Sequence, residues 1–421
     1  MGRSPKGGCD AERARSFARD VVIRLRGAGH EALFAGGCVR DELLSRTPTD
    51  YDVATSARPD AVRDLFGKRR TIAVGAAFGV ITVIGPADAG QVEVATFRTD
   101  AEYTDGRHPA GVTFSTARDD ALRRDFTING MFLDPLGGEI HDYVGGRDDL
   151  TRGVVRAIGS PGLRFAEDHL RMLRAVRFTA QFDFILDGDT RAAIERMAGL
   201  VSTVSPERVA EELRRMVAGP GGRKALELLA ETGLAPHVLG EFPTDSIVAA
   251  ATVVGAMDEP CLSAALAAGA VGADPHAAPD LVERAATRLR LSHKESDRAR
   301  WLVDGMATTS AVGDRPADLP WSRMQPWVAH ADASILADLW RAQAAVGRGS
   351  AVGARWFSDQ VVRPRHEIDP PAWLSGADLL AAGVAPGPRM GALLAELRRR
   401  QLDGELVSRE AALAWARSQA S

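Results

Sequence analysis

The amino-acid sequence predicts an α+β protein: an N-terminal mixed sheet packed with helices, then helices alone to the C-terminus. Three observations carry this. Residues 32–55 read as a short apolar run, a Gly36-Gly37 pair, a helix, and an extended segment bearing Asp50 and Asp52. Residues 71–84 and 91–97 carry the alternation of a half-buried strand. Beyond about residue 220 the chain is rich in Ala and Leu at helical spacing.

The totals set limits. A chain of 421 residues has length for two to four domains and a sizeable core. Hydrophobic content of 45% and charged content of 26% are those of an ordinary globular protein. The net charge of −4 gives no global basic field, so binding to nucleic acid has to come from local patches. Cys9, Cys38 and Cys261 are too far apart for a metal or redox motif, which fits a reducing cytoplasm. The first 20 residues have no apolar signal core, and no stretch reaches the ~18 apolar residues of a membrane span.

In chain order, residues 1 to about 12 read as a disordered lead. Phe17, Val21, Val22 and Leu25 mark a helix over 14–28. The run 32–35 is a buried strand. Gly37 brings the backbone close to a ligand, and the helix start after it, with Arg40 one turn in, makes an anion site suited to phosphate. Asp50 and Asp52, 13 and 15 residues after Gly37, sit at i and i+2 of an extended segment and so share a face. Alone, such a pair is usually a solvated turn. Beyond a phosphate-shaped turn, two hard anionic ligands suit Mg²⁺ and in-line phosphoryl displacement. Arg58-Pro59-Asp60 opens a helix with proline in its first turn, and 71–84 is a hairpin bending near Gly75 and Gly79. In strand 91–97, Val92 and Val94 face one side and Glu93 the other, as a third carboxylate or as an exposed strand residue.

Residues 98–118 are polar and punctuated by Gly and Pro, and a loop of this length is usually functional or disordered. In the run Arg123-Arg124-Asp125-Phe126-Thr127-Ile128-Asn129, Arg124 can clamp a triphosphate and Asp125 can accept from a ribose hydroxyl. His141-Asp142 has no partner histidines at ligand spacing, so Asp142 is structural. Residues 164–178 read as one helix, burying Leu170, Leu173 and Phe178, with Asp168, Arg171 and Arg174 on one face. An acceptor beside a donor fork suits the amino group and ring acceptor of cytosine or adenine, and mismatches uracil and guanine. Ser205-Pro206 opens another helix in which Arg208 and Glu212, one turn apart, tie it to 164–178 by ion pairs. Ser292-x-x-Glu295 is a capping box, 316–320 and 363–371 are linkers, and Arg398-Arg399-Arg400 is either an RNA-phosphate contact or a solvated helix end.

These motifs together resemble the class II tRNA nucleotidyltransferases and bacterial poly(A) polymerases: GGCVRD with DYDVAT, EVATFR, RRDFTIN, the Glu-Asp-x-x-Arg of 167–171, and the Glu-Arg-x-x-x-Glu-Leu of 207–213. The resemblance is specific over 31–215 and general beyond. It implies a polymerase-β-like palm at 13–150, a helical neck at 151–218, a helical body at 219–320 and a tRNA-binding tail at 321–421. It also implies addition of C, C and A to the tRNA 3′ end from CTP and ATP with Mg²⁺, a poly(A) or A-only activity being the alternative. No membrane and no stable protein partner is implied. Asp50, Asp52 and Glu93 would be catalytic, the first two holding metal. Gly37, Arg40, Arg124 and Asp125 would bind nucleotide. Asp168 and Arg171 would read the base, with Arg171 positioned by Glu167, and Arg174 and Arg177 would hold the triphosphate. Residues 98–118 resemble the family's flexible loop for adding the terminal A, with Arg107-His108-Pro109 in place of Arg-Arg-Pro. His169 is a second departure.

Overall fold

The computed structural model describes residues 10–100 and 112–420. It divides into two compact units, Met1–Met216 with Glu227–Gly240 and Val217–Leu226 with Glu241–Ser421.

The first unit is built on a seven-stranded sheet. Asp10 caps α1 (Ala11–Gly27), whose Val21, Val22 and Leu25 are buried. There follow β1 (Ala32–Ala35), α2 (Gly37–Leu43), β2 (Asp52–Thr55), and α3 (Pro59–Phe66) with proline in its first turn. β3 (Thr71–Ile72) and β4 (Val80–Ile84) form the expected hairpin, and β5 (Gln91–Thr96) follows. β6 (Arg98–Asp100) pairs with β7 (Val112–Phe114), so the flanks of the expected loop are a ladder; Arg107-His108-Pro109 lie outside the described residues. α4 (Ala117–Leu122), β8 (Met131–Leu133) and β9 (Ile140–Asp142) complete the head. The strand order is β3-β4-β5-β2-β1-β8-β9. β2 and β5 run parallel and the other pairs antiparallel, so the sheet is mixed as the sequence predicts.

Asp142 ends β9. Its Oδ1 accepts the N–H groups of Val144, Gly145 and Gly146, and its Oδ2 that of Arg147, a turn that carries the chain into α5 (Gly146–Arg152). This is the structural role expected of it.

The segment after 151 is not purely helical, as the resemblance implies. β10 (Val154–Val155) pairs in parallel with β11 (Ile185–Leu186). Two residues a side leave too short an alternation to stand out in the sequence. The stretch read as one helix over 164–178 is two, α6 (Pro161–Glu167) and α7 (Leu170–Phe182), with Asp168 extended between them at φ −150°, ψ 105°. α8 (Gly188–Met197) and α9 (Pro206–Val217) follow.

The second unit is helical. The Ala-rich helix Leu262–Ala273 is buried along nearly its whole length. Ser292 and Glu295 form the expected capping box, on a helix that begins at His293. The expected linkers carry a 3₁₀ turn, Pro316–Asp318, and a short helix, Arg365–Ile368. Arg398 donates to Pro370 O and Asp369, and Arg399 and Arg400 pair with Glu396 and Glu405, so this arginine run is engaged within its own unit. No described helix is long and apolar enough to cross a membrane.

Asp142→Ala would leave four backbone N–H groups without their acceptor and should cost on the order of 2 kcal/mol, read as a lower urea midpoint. Chelator should leave the stability of the wild-type turn unchanged, because both Asp142 oxygens are taken by backbone N–H groups.

Candidate active site

The head and α7 close around one cleft of about 700 Å³. Its lining includes Gly36, Gly37, Arg40, Asp50, Asp52, Arg124, Asp125, Asp168, Arg171, Arg174 and Arg177. The structure therefore gathers every residue singled out above for metal or nucleotide, with Glu93 absent from the lining.

The acidic wall follows from sheet register. Asp52 is the first residue of β2 and Asp50 lies just before it; Tyr51 between them turns inward and packs on Phe34, ring centroids 5.2 Å apart. Residues opposite each other in a ladder share a face. Asp52 is opposite Glu93 of β5, so Glu93 stands beside it outside the cleft. Burial first, then the nearby charges of Asp50 and Glu93, push the Asp52 carboxyl up from 3.8 to about 7, against the pull of Arg124. Asp50, Asp52 and Glu93 crowd three carboxylates together, a donor set that favours a counter-cation. Among the described residues no three His, Cys, Asp or Glu side chains could hold a metal unaided. Mg²⁺ asks for less: it commonly takes one or two carboxylates and completes its shell with water and phosphate oxygens. Asp50 and Asp52 fit that requirement.

The glycine turn differs from expectation in one residue. Gly36 has φ 72°, and a Cβ there would stand 2.9 Å from Arg124 Nη1. Gly37 is an ordinary helical residue whose nearest neighbour would be 3.6 Å away. The position that requires glycine is thus Gly36, which the pair of glycines in the sequence could not distinguish.

The arginines are spoken for. Arg40 gives Nε and Nη2 to Asp41 and Nη1 to Asn129 Oδ1 at 2.7 Å, with its guanidinium 4.4 Å from the Phe182 ring. The free phosphate fork expected of it is already engaged. Arg124 grips Asp120 through Nε and Nη2, and its Nη1 donates to Asn129 O. Arg174 forks onto Asp125 Oδ2 at 2.8 and 2.6 Å, while Asp125 Oδ1 accepts from Phe126 N and Asn129 Nδ2. Four acceptor positions are then filled, leaving none for the expected ribose hydroxyl. Burial would raise the Asp125 carboxyl, but the Arg174 guanidinium and the Asn129 hydrogen bond hold it at about 2. Arg177 is 7% exposed and donates to Glu212 at 2.6 Å.

The α6–α7 break turns Asp168 into the cleft. Both its oxygens take the fork of Arg208, at 3.2 and 2.8 Å, and Leu170 N donates to Oδ1. Arg171 is tied to Glu167, as expected, and to the carbonyls of Arg164 and Arg123. Arg208 and Glu212 of α9 therefore bind α7 and the break through Asp168 and Arg177. His169 Nδ1 lies 2.8 Å from Thr203 Oγ1. Thr203 spends its own proton on Leu200 O, so His169 is the donor. Arg208 deserves its place in the cleft beside Asp168; its sequence signal was a helix-face spacing that named only a supporting role.

Residues 32–156 match the family model of the poly A polymerase head domain, and residues 183–244 that of the probable RNA and SrmB- binding site of polymerase A. A CCA-adding enzyme of Lactobacillus gasseri is 33% identical over 402 residues, 94% of this chain and 95% of that protein. One from Geobacillus thermodenitrificans is 44% identical over 224 residues, 53% of this chain and 54% of that protein, so the chain spans about half the length of that curated relative. The fold is similar to a crystal structure of the Bacillus stearothermophilus CCA-adding enzyme in complex with CTP, at TM-score 0.78 and 28% identity, covering 96% of this chain and 97% of that one.

The Asp52 carboxyl, raised to about 7 from 3.8, makes stability pH-dependent. The folded chain keeps a proton that the unfolded chain releases, so this contribution is full below the unfolded value and is lost as pH rises through the folded one. In chelator, stability should fall by on the order of 2 kcal/mol between about pH 5 and about pH 8.5. Urea unfolding of Asp52→Asn should lack that component.

Proposed function

The chain belongs to the family of CCA-adding enzymes and poly(A) polymerases, and on that premise we propose that it adds C, C and then A to the 3′ end of tRNA, using CTP and ATP and releasing pyrophosphate. The observation that carries the reading is one cleft whose walls hold Asp50 and Asp52 together with Asp168 and Arg171. Acids able to hold Mg²⁺ and a donor–acceptor pair suited to a base edge then lie within a single nucleotide's reach. The arrangement of head (13–150), neck (151–218), body (219–320) and tRNA-binding tail (321–421) belongs to the same proposal. So does a cytoplasmic setting, supported by the free thiols Cys38 and Cys261.

Asp50 and Asp52 would hold Mg²⁺, which when bound would offset charge on the phosphates and favour ionisation of the 3′ hydroxyl. Glu93 acts on Asp52 from the neighbouring strand, raising its carboxyl and adding negative charge that a bound cation would offset. The cleft is lined by eight arginines against five aspartates. The excess of three positive charges suits a triphosphate, and because most guanidiniums are already anchored, their field is fixed before substrate arrives. Arg40, Arg124, Arg174 and Arg177 contribute in this way, and Gly36-Gly37 let the phosphates approach α2. Asp125 anchors Arg174. Asp168 accepts the amino proton of C or A, and Arg171 donates to the ring acceptor; U and G present the opposite pattern. The nucleophile is the 3′ oxygen of the RNA. It attacks the α-phosphorus, the bond to the β-phosphate bridge breaks, and pyrophosphate leaves.

Purified protein given tRNA lacking its 3′ CCA should incorporate C from CTP alone, and A only once both C residues are present. Long A tails from ATP alone would replace this reading with poly(A) polymerase. Asp52→Ala should lower incorporation of both nucleotides by about 10³-fold or more while leaving RNA binding intact.

Arg171→Ala should weaken discrimination against UTP by about tenfold or more, the worth of a paired base-edge contact, with a smaller effect on the rate with CTP. Competition assays with mixed nucleotides read this directly.

A further inference from the structure

The sheet carries the acidic wall outward to a basic turn that nothing above has used. Registered partners run Asp52–Glu93 across β2 and β5, Glu93–Thr82 across β5 and β4, and Thr82–Ile72 across β4 and β3. Opposed residues share a face, so this row extends from the cleft to the sheet edge on the side of the catalytic acids. Helices α1 and α3 cover the other face, where Val53, Ile81, Val83, Val92 and Val94 are buried. At the outer end Ile72 is 43% exposed. Immediately before β3 comes the 3₁₀ turn Lys68–Arg70, all three residues exposed. Gly67 at φ 84° starts this turn, and its carbonyl accepts from Arg70 N and Thr71 Oγ1, which fixes the turn against the sheet edge. Lys68, Arg69 and Arg70 make no ion pair among the described residues, although most arginines of the cleft are paired.

Resting on the reading of the cleft as an RNA nucleotidyltransferase site, we propose that Lys68, Arg69 and Arg70 grip backbone phosphates of the RNA strand whose 3′ end reacts, upstream of the reacting hydroxyl. Strands lie ~4.8 Å apart, so three steps from β2 to β3 span ~14 Å. At ~3.4 Å per stacked nucleotide that is about four nucleotides, and fewer if the strand is extended. A strand ending at Asp50 and Asp52 and lying along the row thus reaches the turn within its last few phosphates. The partner is single-stranded RNA because the row offers exposed Ile72 and half-buried Thr82 beneath the bases and cations only at its end. The turn is a positioning element: it sets where the RNA lies, without touching the incoming nucleotide.

The test is steady-state incorporation of CTP onto tRNA lacking CCA by the full-length protein, comparing wild type, Lys68→Ala/Arg69→Ala/Arg70→Ala, and the charge-keeping Arg69→Lys/Arg70→Lys. The alanine variant should raise KM for RNA about tenfold and leave kcat and KM for CTP near wild type. The slope of log(kcat/KM) for RNA against log salt should shrink in magnitude by about 2, the value for three single-strand phosphate contacts. The lysine variant should retain both KM and slope. Unchanged KM and salt slope in the alanine variant overturn the proposal, as does an equal loss in the charge-keeping variant. If wild type fails to incorporate CTP, the reading of the cleft itself fails, a result distinct from either.

Discussion

The fork of Arg174 onto Asp125 is the interaction on which the site depends. It joins α7 to the turn after α4; Asp125 is buried and Arg174 half-buried. A buried charge left without its partner is costly, several times more so than a surface pair. Neighbouring pairs follow the same logic: Arg177 with Glu212, Arg208 with Asp168, Arg124 with Asp120. The first two join elements 35 and 40 residues apart, so relative placement is set by directional charge pairs as well as by apolar packing, while Arg124 and Asp120 fix the turn after α4 locally. Arg40, stacked on Phe182 and bonded to Asn129, brings α2 into the same lattice. The cleft is in effect a cavity framed by charge pairs.

Against that frame the acids proposed to hold metal stand apart. Asp125 and Asp52 are the same residue type, both withdrawn from solvent, yet their carboxyls move in opposite directions, to about 2 and about 7. Burial acts on both in the same sense; the neighbours decide. Asp125 has a guanidinium fork and an amide, while Asp52 has two more carboxylates and only the distant help of Arg124. The first is a satisfied structural ion. The second is left short of positive charge, the condition that favours taking up a cation.

Much of this was legible in the sequence because the signals were local. The alternation of Val92 and Val94 with Glu93, the Asp50/Asp52 spacing and the proline-led start of α3 each depend on a few adjacent residues, and each appears where the pattern puts it. What escaped depends on partners far along the chain. Nothing near Arg40 says that Asn129 will take its donors, or near Asp125 that Arg174 will fill its acceptors. Gly36 and Gly37 differ in backbone conformation and in the side chain each meets, Arg124 for the first and Arg40 for the second. The helical spacing of 164–178 concealed the break at Asp168, since the residues on both sides are sound helix formers and the break is held by Arg208 from α9 and by His169 on Thr203.

That break has a consequence for choosing a base without a template strand. A carboxylate in a continuous helix swings on two rotatable bonds, and a swinging acceptor pairs with almost any donor in range. Asp168 has about four acceptor positions. Arg208 takes two and Leu170 N a third, so one remains, pointing in a direction set by the protein. A single fixed acceptor beside the equally anchored Arg171 can distinguish an amino group from a carbonyl at one place on the base edge. On the proposed reading, discrimination comes from the immobility of the two side chains as much as from their chemistry: Arg208 of α9 fixes Asp168, and Glu167 with the carbonyls of Arg164 and Arg123 fixes Arg171.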